Sequence, residues 1–521
     1  MTCDKRILTP FALIFVFLFS CSKPTQSQTE FDLLITNAKI VDGTGSEAFS
    51  GNILIDDGII QKVGAFDTDT IQAVQTIDAN GRVVSSGFID THSHGNPIET
   101  PRFDNFLSMG VTTISLGQDG NSPATENLSE WMDQVDSIGT GPNILHFMGH
   151  GTLRRLTNTP QQPILADANL EAMVGLMNNA MQAGSFGLTT GLEYESGRYA
   201  TMPELVALAE SVANHNGLVM SHVRSEDDTE IEDSIRELIE QGKKSGANIQ
   251  ASHIKVVYAN NPTRAEAVLQ LMNEAREKGI QITADVYPYT ASFTGIGIVF
   301  PHWVTPANFN EVKESRRTEL EEYLRNRIAM RNGPEATLFG TAPWAGMTLA
   351  EVADSLNKPF EDVLIDDIGP TGASAAYFVM NEEVMKRFLQ DPHVMVSSDG
   401  SPTMRHPRGY GSFAKIIDNY VNTESVLTLE EAIHKMTGLP AEILGLSDSN
   451  QVEIPRGLLH EGFAADLLIF TPQNINDTAD FENPHQYAEG FDWVFVNGEP
   501  VIEEGERNEI RPAGIIRKIS K

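Results

Sequence analysis

Short apolar runs that each finish on a histidine or an acid recur through the middle of the chain, and this pattern restricts the fold more than any other feature. His92, Asp119, His150, Glu193, His222, His253, Asp285 and Asp399 all stand at or just past the end of such a run. Most neighbours in this series are about 30 residues apart, the length of one strand–helix unit. Gly110–Leu116 and Leu218–Ser221 read as strands, and Met202–Asn214 reads as a helix with Pro203 in its first turn. Thr263–Lys278 reads as a helix stopped by Gly279. Eight such units over residues 87–455 predict an α/β fold, a (β/α)8 TIM-like barrel, whose catalytic groups gather at the C-terminal ends of the strands. A doubly wound open sheet is the alternative, but it would not usually bring side chains from the first and last strands to one point. The wide gap before Asp399 leaves room for an insertion at about 303–385 with helices of its own.

The flanks read differently. Asp32–Val41 and Asn52–Val63 are β-rich, with Asp57-Gly58 as a hairpin turn, and similar strands return at Asp466–Phe470 and Trp493–Gly498. Residues 31–86 and 456–521 are therefore expected to form two halves of one small β-sandwich interrupted by the barrel. Residues 1–21 read as a secretion signal: Lys5 and Arg6 are basic, and Ile7–Phe19 is apolar apart from Thr9 and Pro10. That run is shorter than the roughly 20 residues of a comfortable membrane span. It ends in Leu18-Phe19-Ser20-Cys21, which resembles a bacterial lipobox, although Phe19 is bulkier than usual there. The expectation is an exported protein anchored by lipid on Cys21, facing the periplasm or cell surface, with residues 22–30 as a polar tether. Cys3 and Cys21 are the only cysteines, so the mature chain would carry no free thiol and no disulfide. The formal charge of −34 becomes −35 once Asp4, Lys5 and Arg6 are removed, leaving 35 basic against 70 acidic residues. Such a surface repels nucleic acid and anionic lipid, so no nucleic-acid partner is expected and membrane contact runs through the anchor alone.

The strongest local signal is Gly87-Phe-Ile-Asp-Thr-His92-Ser-His94-Gly95. Two histidines at i and i+2 on a strand project to the same side, so both imidazoles can reach one ion. An isolated pair of this kind is weak, but His222 and His253 each follow an apolar strand, and Asp399 closes Val394-Met-Val-Ser-Ser in the same way. Four histidines and an acid at strand ends of one barrel point to a metal centre. Imidazole with carboxylate suits Zn2+, one or two ions, while Co2+, Mn2+ or Fe2+ fit the same donors.

The split sandwich, the His-x-His after the first barrel strand and the later His, His and Asp resemble the amidohydrolase superfamily. Finer motifs resemble its N-acyl-D-amino-acid deacylases (D-aminoacylases): Gly149–Arg154 (GHGTLR), Thr190–Tyr194 (TGLEY), Asp285–Tyr289 (DVYPY), His406–Gly411 (HPRGYG) and Phe481–Tyr487 (FENPHQY). The resemblance implies metal positions at His92, His94, His222, His253 and Asp399. The family commonly has Gly-Asn-Cys-Gly after the second strand, its Cys serving as a ligand, whereas this chain reads Leu116-Gly-Gln-Asp119-Gly120. A carboxylate should replace the thiolate. Glu193, where related amidohydrolases supply a bridging Lys carbamate or Glu, is favoured over Asp119, and both could take part.

The implied reaction is metal-dependent hydrolysis of the amide bond of an N-acyl-D-amino acid, giving a carboxylate and a free D-amino acid. Asp399 would be general base and then general acid. The cationic fork of Arg408 suits the product's α-carboxylate, and Lys255 and Tyr287 match family substrate contacts, with Tyr194 a further candidate. Where the family tends toward YPYxAxST, Phe293 replaces a small polar residue. His150 is expected either to shape a loop or support the centre from outside it, or equally to contact substrate. A dipeptidase or cyclic-amide hydrolase of the same superfamily is the rival reading, and a lipid-tethered binding protein is the non-enzymatic one.

Overall fold

The computed structural model describes residues 1–2, 30–163 and 166–519; the leader's apolar run, Cys21 and residues 22–29 of the tether lie outside the described residues. The barrel strands are Phe88–Asp90, Val111–Leu116, Asn143–His146, Gly187–Gly191, Leu218–His222, Asn248–Ala251, Ile282–Val286 and Val394–Val396. Neighbours run parallel throughout, the third strand reaching the fourth through its continuation Met148–Gly149. The circle closes between the first and last strands, where Asp399 N–H donates to His92 O at 2.8 Å and His94 N–H to Gly400 O at 2.7 Å. The backbone that seals the barrel thus carries three of the sequence-predicted metal residues.

The strands read as unbroken apolar runs because both faces are covered. Outside them pack amphipathic helices such as Ile231–Ser245, whose Ile231, Ile235 and Leu238 are buried on one face. Acids Glu232 and Asp233 occupy its first turn, Lys243 and Lys244 its last, and Gly246 closes it at φ +74°, an arrangement that complements the helix dipole and left-handed cap.

Both chain ends enter one nine-stranded sheet. The seam is the antiparallel pairing of Val83–Ser86 with Leu467–Phe470, register Phe470↔Val83 to Leu467↔Ser86. Alternation divides the strands' side chains between two cores. Leu467, Ile469, Trp493 and Phe495 join Leu33, Ile35, Ile53 and Ile55 in the sheet's own core, whereas Leu468, Phe470, Val494 and Val496 join the barrel core.

A satellite follows the seventh strand. Its antiparallel sheet pairs Ser292–Gly295 with Ser374–Tyr377 and the latter with Thr337–Phe339, around a separate apolar cluster that includes Leu320, Leu324, Leu349 and Val352. It starts at Ser292 rather than near 303, because its first strand leaves directly from the loop after Val286. Among the described residues no helix is long and apolar enough to cross a membrane.

Candidate metal centre

Four imidazoles converge at the C-terminal mouth of the barrel, and Asp119 lies among them. Its carboxylate is 3.3 Å from His92 Nε2, 3.5 Å from His94 Nε2, 3.7 Å from His222 Nδ1 and 3.3 Å from His253 Nε2. Asp399 Oδ1 adds a second acid 3.2 Å from His94 Nε2 and 3.8 Å from His92 Nε2. The donors form three groups, His92–His94–Asp119–Asp399, Asp119–His222–His253 and Glu193–His222–Glu226, of which the first two share Asp119 and the last two share His222. His92 is fully buried and neither of its ring nitrogens has a hydrogen-bond partner among the described residues. A buried imidazole aimed at two carboxylates in this way fits a metal ligand.

Three of these residues hold left-handed backbone: Asp119 at φ +54°, His253 at +35° and Asp399 at +48°. Such strain in non-glycine residues gathers at functional sites. Bare glycines permit the Asp119 turn, since a Cβ on Gly191 would lie 2.4 Å from Asp119 O and one on Gly149 2.5 Å from Gly120 O. The first and seventh strands brace the ligands from beneath. Asp90 accepts from the N–H groups of His92 at 3.1 Å and Ser398 at 3.0 Å, and Asp285 accepts from His253 N–H at 3.1 Å. Burial lifts the Asp90 carboxyl to about 7.

Electrostatics holds the Asp119 and Asp399 carboxylates ionised. Burial opposes the charge on Asp119, but His92 and His253 outweigh it and hold the carboxyl well below the usual range. Burial likewise opposes Asp399, which Arg408 first, then His253 and His94, hold far below that range. Burial pushes His94 down, yet Asp119 and Asp399 raise it to about 9. Burial and the Lys255 ammonium oppose the charge on His253, and the same two carboxylates raise it to about 10.

Glu193, the acid favoured from the sequence, stands farther out. It touches His222 from the opposite ring edge, Oε2 to Nε2 at 3.1 Å, whereas Asp119 faces Nδ1 of that ring. Asp119 thus lies near four imidazoles and Glu193 near one, on opposite edges of the His222 ring. A hydrogen bond from His222 Nε2–H to Glu193 would leave Nδ1, 3.0 Å from His253 Nε2, as the acceptor edge of the ring facing the other donors.

Glu226, which no sequence signal singled out, stands with Lys255 at the other edge of the His253 ring, where Lys255 Nζ lies 2.8 Å from His253 Nδ1. Its Oε1 lies 3.2 Å from His253 Nδ1 and 2.5 Å from Lys255 Nζ, in a nearly sealed position. Val257 N–H donates to Glu226 O at 2.8 Å, so backbone pairing between two βα loops delivers the carboxylate.

The remaining candidates surround a cavity of about 340 Å³ above the donors. Arg408 Nη1 pairs with Asp399 Oδ2 at 2.9 Å and its guanidinium lies 4.7 Å from the Tyr287 ring centre. Lys255 Nζ is 5.6 Å from the same ring, and the Tyr194 ring is 4.6 Å from that of His222. Burial raises the Tyr287 hydroxyl to about 12, so it stays a donor. His150 turns away from the donors: its Nε2 meets Glu204 Oε1 at 2.8 Å, and Arg154 Nη1 meets the same carboxylate at 2.6 and 2.8 Å. That buried trio ties the helix His150–Leu156 to the helix Met202–Ala213.

Residues 145–502 match the amidohydrolase family. The N-acyl-D-glutamate deacylase of Alcaligenes xylosoxydans xylosoxydans is 29% identical over 94% of this chain and 97% of its own length. The D-aminoacylase of the same organism is 29% identical over 92% of this chain and 96% of its own. A crystal structure of N-acyl-D-glutamate deacylase from Bordetella bronchiseptica, complexed with zinc and a phosphonate mimic of the tetrahedral intermediate, is similar at a TM-score of 0.80. It is 28% identical and covers 94% of this chain and 100% of that one.

Proposed function

The chain belongs to the amidohydrolase family, with residues 145–502 matched, and on that premise we propose that it hydrolyses the amide bond of N-acyl-D-amino acids. The observation that carries this reading is the meeting of His92, His94, His222 and His253 around Asp119, beneath a cavity walled by Lys255 and Arg408. Near-full-length similarity to enzymes named for this activity supports it.

Zinc suits the donors, with Asp119, His222 and His253 as one set of ligands, His92, His94 and Asp399 as the other, and Asp119 shared. Bound there, zinc polarises the substrate carbonyl and lowers the pKa of water. Asp399 accepts the proton of the attacking water and returns it to the departing amine nitrogen. Arg408 and Lys255 receive the α-carboxylate, and the Tyr287 ring between them keeps both cations spaced and partly dry. Tyr194, its ring tilted against that of His222, also lines the cavity.

The test is a panel of N-acetyl-D-amino acids, their L-forms, dipeptides and hydantoins, assayed with and without a chelator. The D-forms are expected to turn over, to stop on chelation and to recover with zinc. Turnover confined to dipeptides or hydantoins would overturn the proposal.

We further propose that the enzyme is exported and lipid-anchored on Cys21, facing the periplasm or the cell surface. The basic Lys5-Arg6 start, the apolar Ile7–Phe19 run and the cysteine that follows support this. Cys21→Ser should move the protein from the membrane to the soluble fraction; unchanged membrane recovery would contradict the anchor.

A further inference from the structure

Two relatives named for different breadths of substrate, an N-acyl-D-glutamate deacylase and a D-aminoacylase, are each 29% identical to this chain, so similarity does not choose the side chain that it accepts. The cavity does. Resting on the deacylase reading above, we propose that the site takes N-acyl-D-amino acids with uncharged, mainly apolar side chains, received by Phe293, Ile298 and Met404.

A substrate with an acidic side chain brings two carboxylates. Among the described residues the lysine and arginine side chains that line the cavity are Lys255 and Arg408, and the α-carboxylate occupies them. Each is also held by an acid, Lys255 by Glu226 at 2.5 Å and Arg408 by Asp399 at 2.9 Å. The amide donors that line the cavity are engaged too. Gln118 Nε2 donates to Ser115 Oγ at 2.8 Å and Asn121 Nδ2 to Asp119 O at 3.2 Å. Away from the imidazoles the wall is Ser292, Phe293, Thr294, Ile298 and Met404, all without charge.

The adjoining cavity, reached past Tyr194, Thr294 and Ile298, carries more acid than base. Four acidic side chains line it against three arginines. Arg224 is bound to Glu237 at 2.8 Å and Arg327 to Asp227 at 2.8 Å, while Arg198 Nη1 meets His302 Nδ1 at 2.9 Å. A buried carboxylate without a cation is strongly disfavoured, whereas an apolar group on this wall gains from leaving water.

Phe293 is rigidly set for the role. It lies in the strand Ser292–Gly295, its ring meets His406 edge-on at 6.1 Å, and its carbonyl accepts from Arg408 Nη2 at 3.3 Å. The ring that receives the side chain is thereby fixed to the guanidinium that receives the α-carboxylate.

The experiment measures kcat/KM of the zinc-loaded full chain for N-acetyl-D-methionine, -leucine and -phenylalanine against N-acetyl-D-glutamate and -aspartate. The neutral substrates are expected to lead by about tenfold or more. Phe293→Ser should narrow the ratio between N-acetyl-D-methionine and N-acetyl-D-alanine by about tenfold, whereas general damage would lower both and keep the ratio. Met404→Lys should raise activity on N-acetyl-D-glutamate relative to N-acetyl-D-methionine, by supplying the missing cation. Equal or better turnover of the acidic D-substrates by the unaltered enzyme would overturn this inference and leave the deacylase reading standing. Failure of every N-acyl-D-amino acid would remove both.

Discussion

Replacing Glu226 with glutamine removes a negative charge from between a buried ammonium and a buried imidazole. Glu226 Oε1 is 2.5 Å from Lys255 Nζ and 3.2 Å from His253 Nδ1, and all three residues are less than a tenth exposed. Lys255 Nζ also lies 2.8 Å from His253 Nδ1, so glutamine keeps an oxygen beside both groups while the negative charge that holds the ammonium and the imidazole together is lost. Changes to groups that orient a ligand histidine typically cost about 10–100-fold in metal affinity. Lys255 is also stranded, and breaking a buried pair in this way destabilises by about 3–5 kcal/mol unless the survivor sheds its proton. Lys255 is held above its ordinary value in the intact enzyme, with burial opposing and Glu226 as the leading support. The substitution should therefore bring its pKa down. The assay is competition for zinc against a chromogenic chelator, alongside thermal unfolding of the zinc-free protein. Glu226→Gln is expected to bind zinc about 10–100-fold more weakly and to unfold earlier. Zinc affinity equal to that of the parent would refute the positioning role, whatever happened to activity.

Asp399→Asn should lower kcat by about 10²–10⁴-fold, because the amide cannot accept the water's proton, while most zinc stays bound by the imidazoles and Asp119; single-turnover kinetics with metal analysis checks both. Zinc affinity should climb with pH. Without metal, His94 at about 9 and His253 at about 10 carry protons that an ion must displace, so affinity is lowest in acid and levels off only above those values; calorimetry in buffers of different ionisation enthalpy should count the released protons. Glu204→Gln leaves Arg154 buried without its charge partner and should cost about 3–5 kcal/mol in denaturant unfolding, with zinc affinity little altered.

The barrel was legible because its strands are buried on both faces and a polar residue punctuates each end. Helix limits agree to within a residue or so, Met202–Ala213 and Arg264–Glu277 against expectations of Met202–Asn214 and Thr263–Lys278. The flanking strands were legible from their Asp57-Gly58 and Asn497-Gly498 turns. What escaped was whatever depends on how one loop leans on another. Asp119 reaches four imidazoles because a left-handed turn packed against Gly149 and Gly191 throws its carboxylate inward, and neither glycine is near it in sequence. Glu226 gains its meaning from a backbone pairing with Val257 in the next loop. His150 resembles a site residue in its motif, yet Glu204 on another helix claims it. Ser292–Gly295 has no strand pattern of its own, since the satellite rather than the barrel completes its pairing.

The most direct test is the position of zinc itself, located by anomalous diffraction at its absorption edge in crystals of the loaded protein. The ion or ions should lie on the Asp119 carboxylate, bonded to Nε2 of His253 and Nδ1 of His222, with a second ion, where present, between Asp119, Asp399, His92 and His94. Zinc coordinated by Glu193 with Asp119 turned away, or imidazoles without any shared ion, would contradict the account.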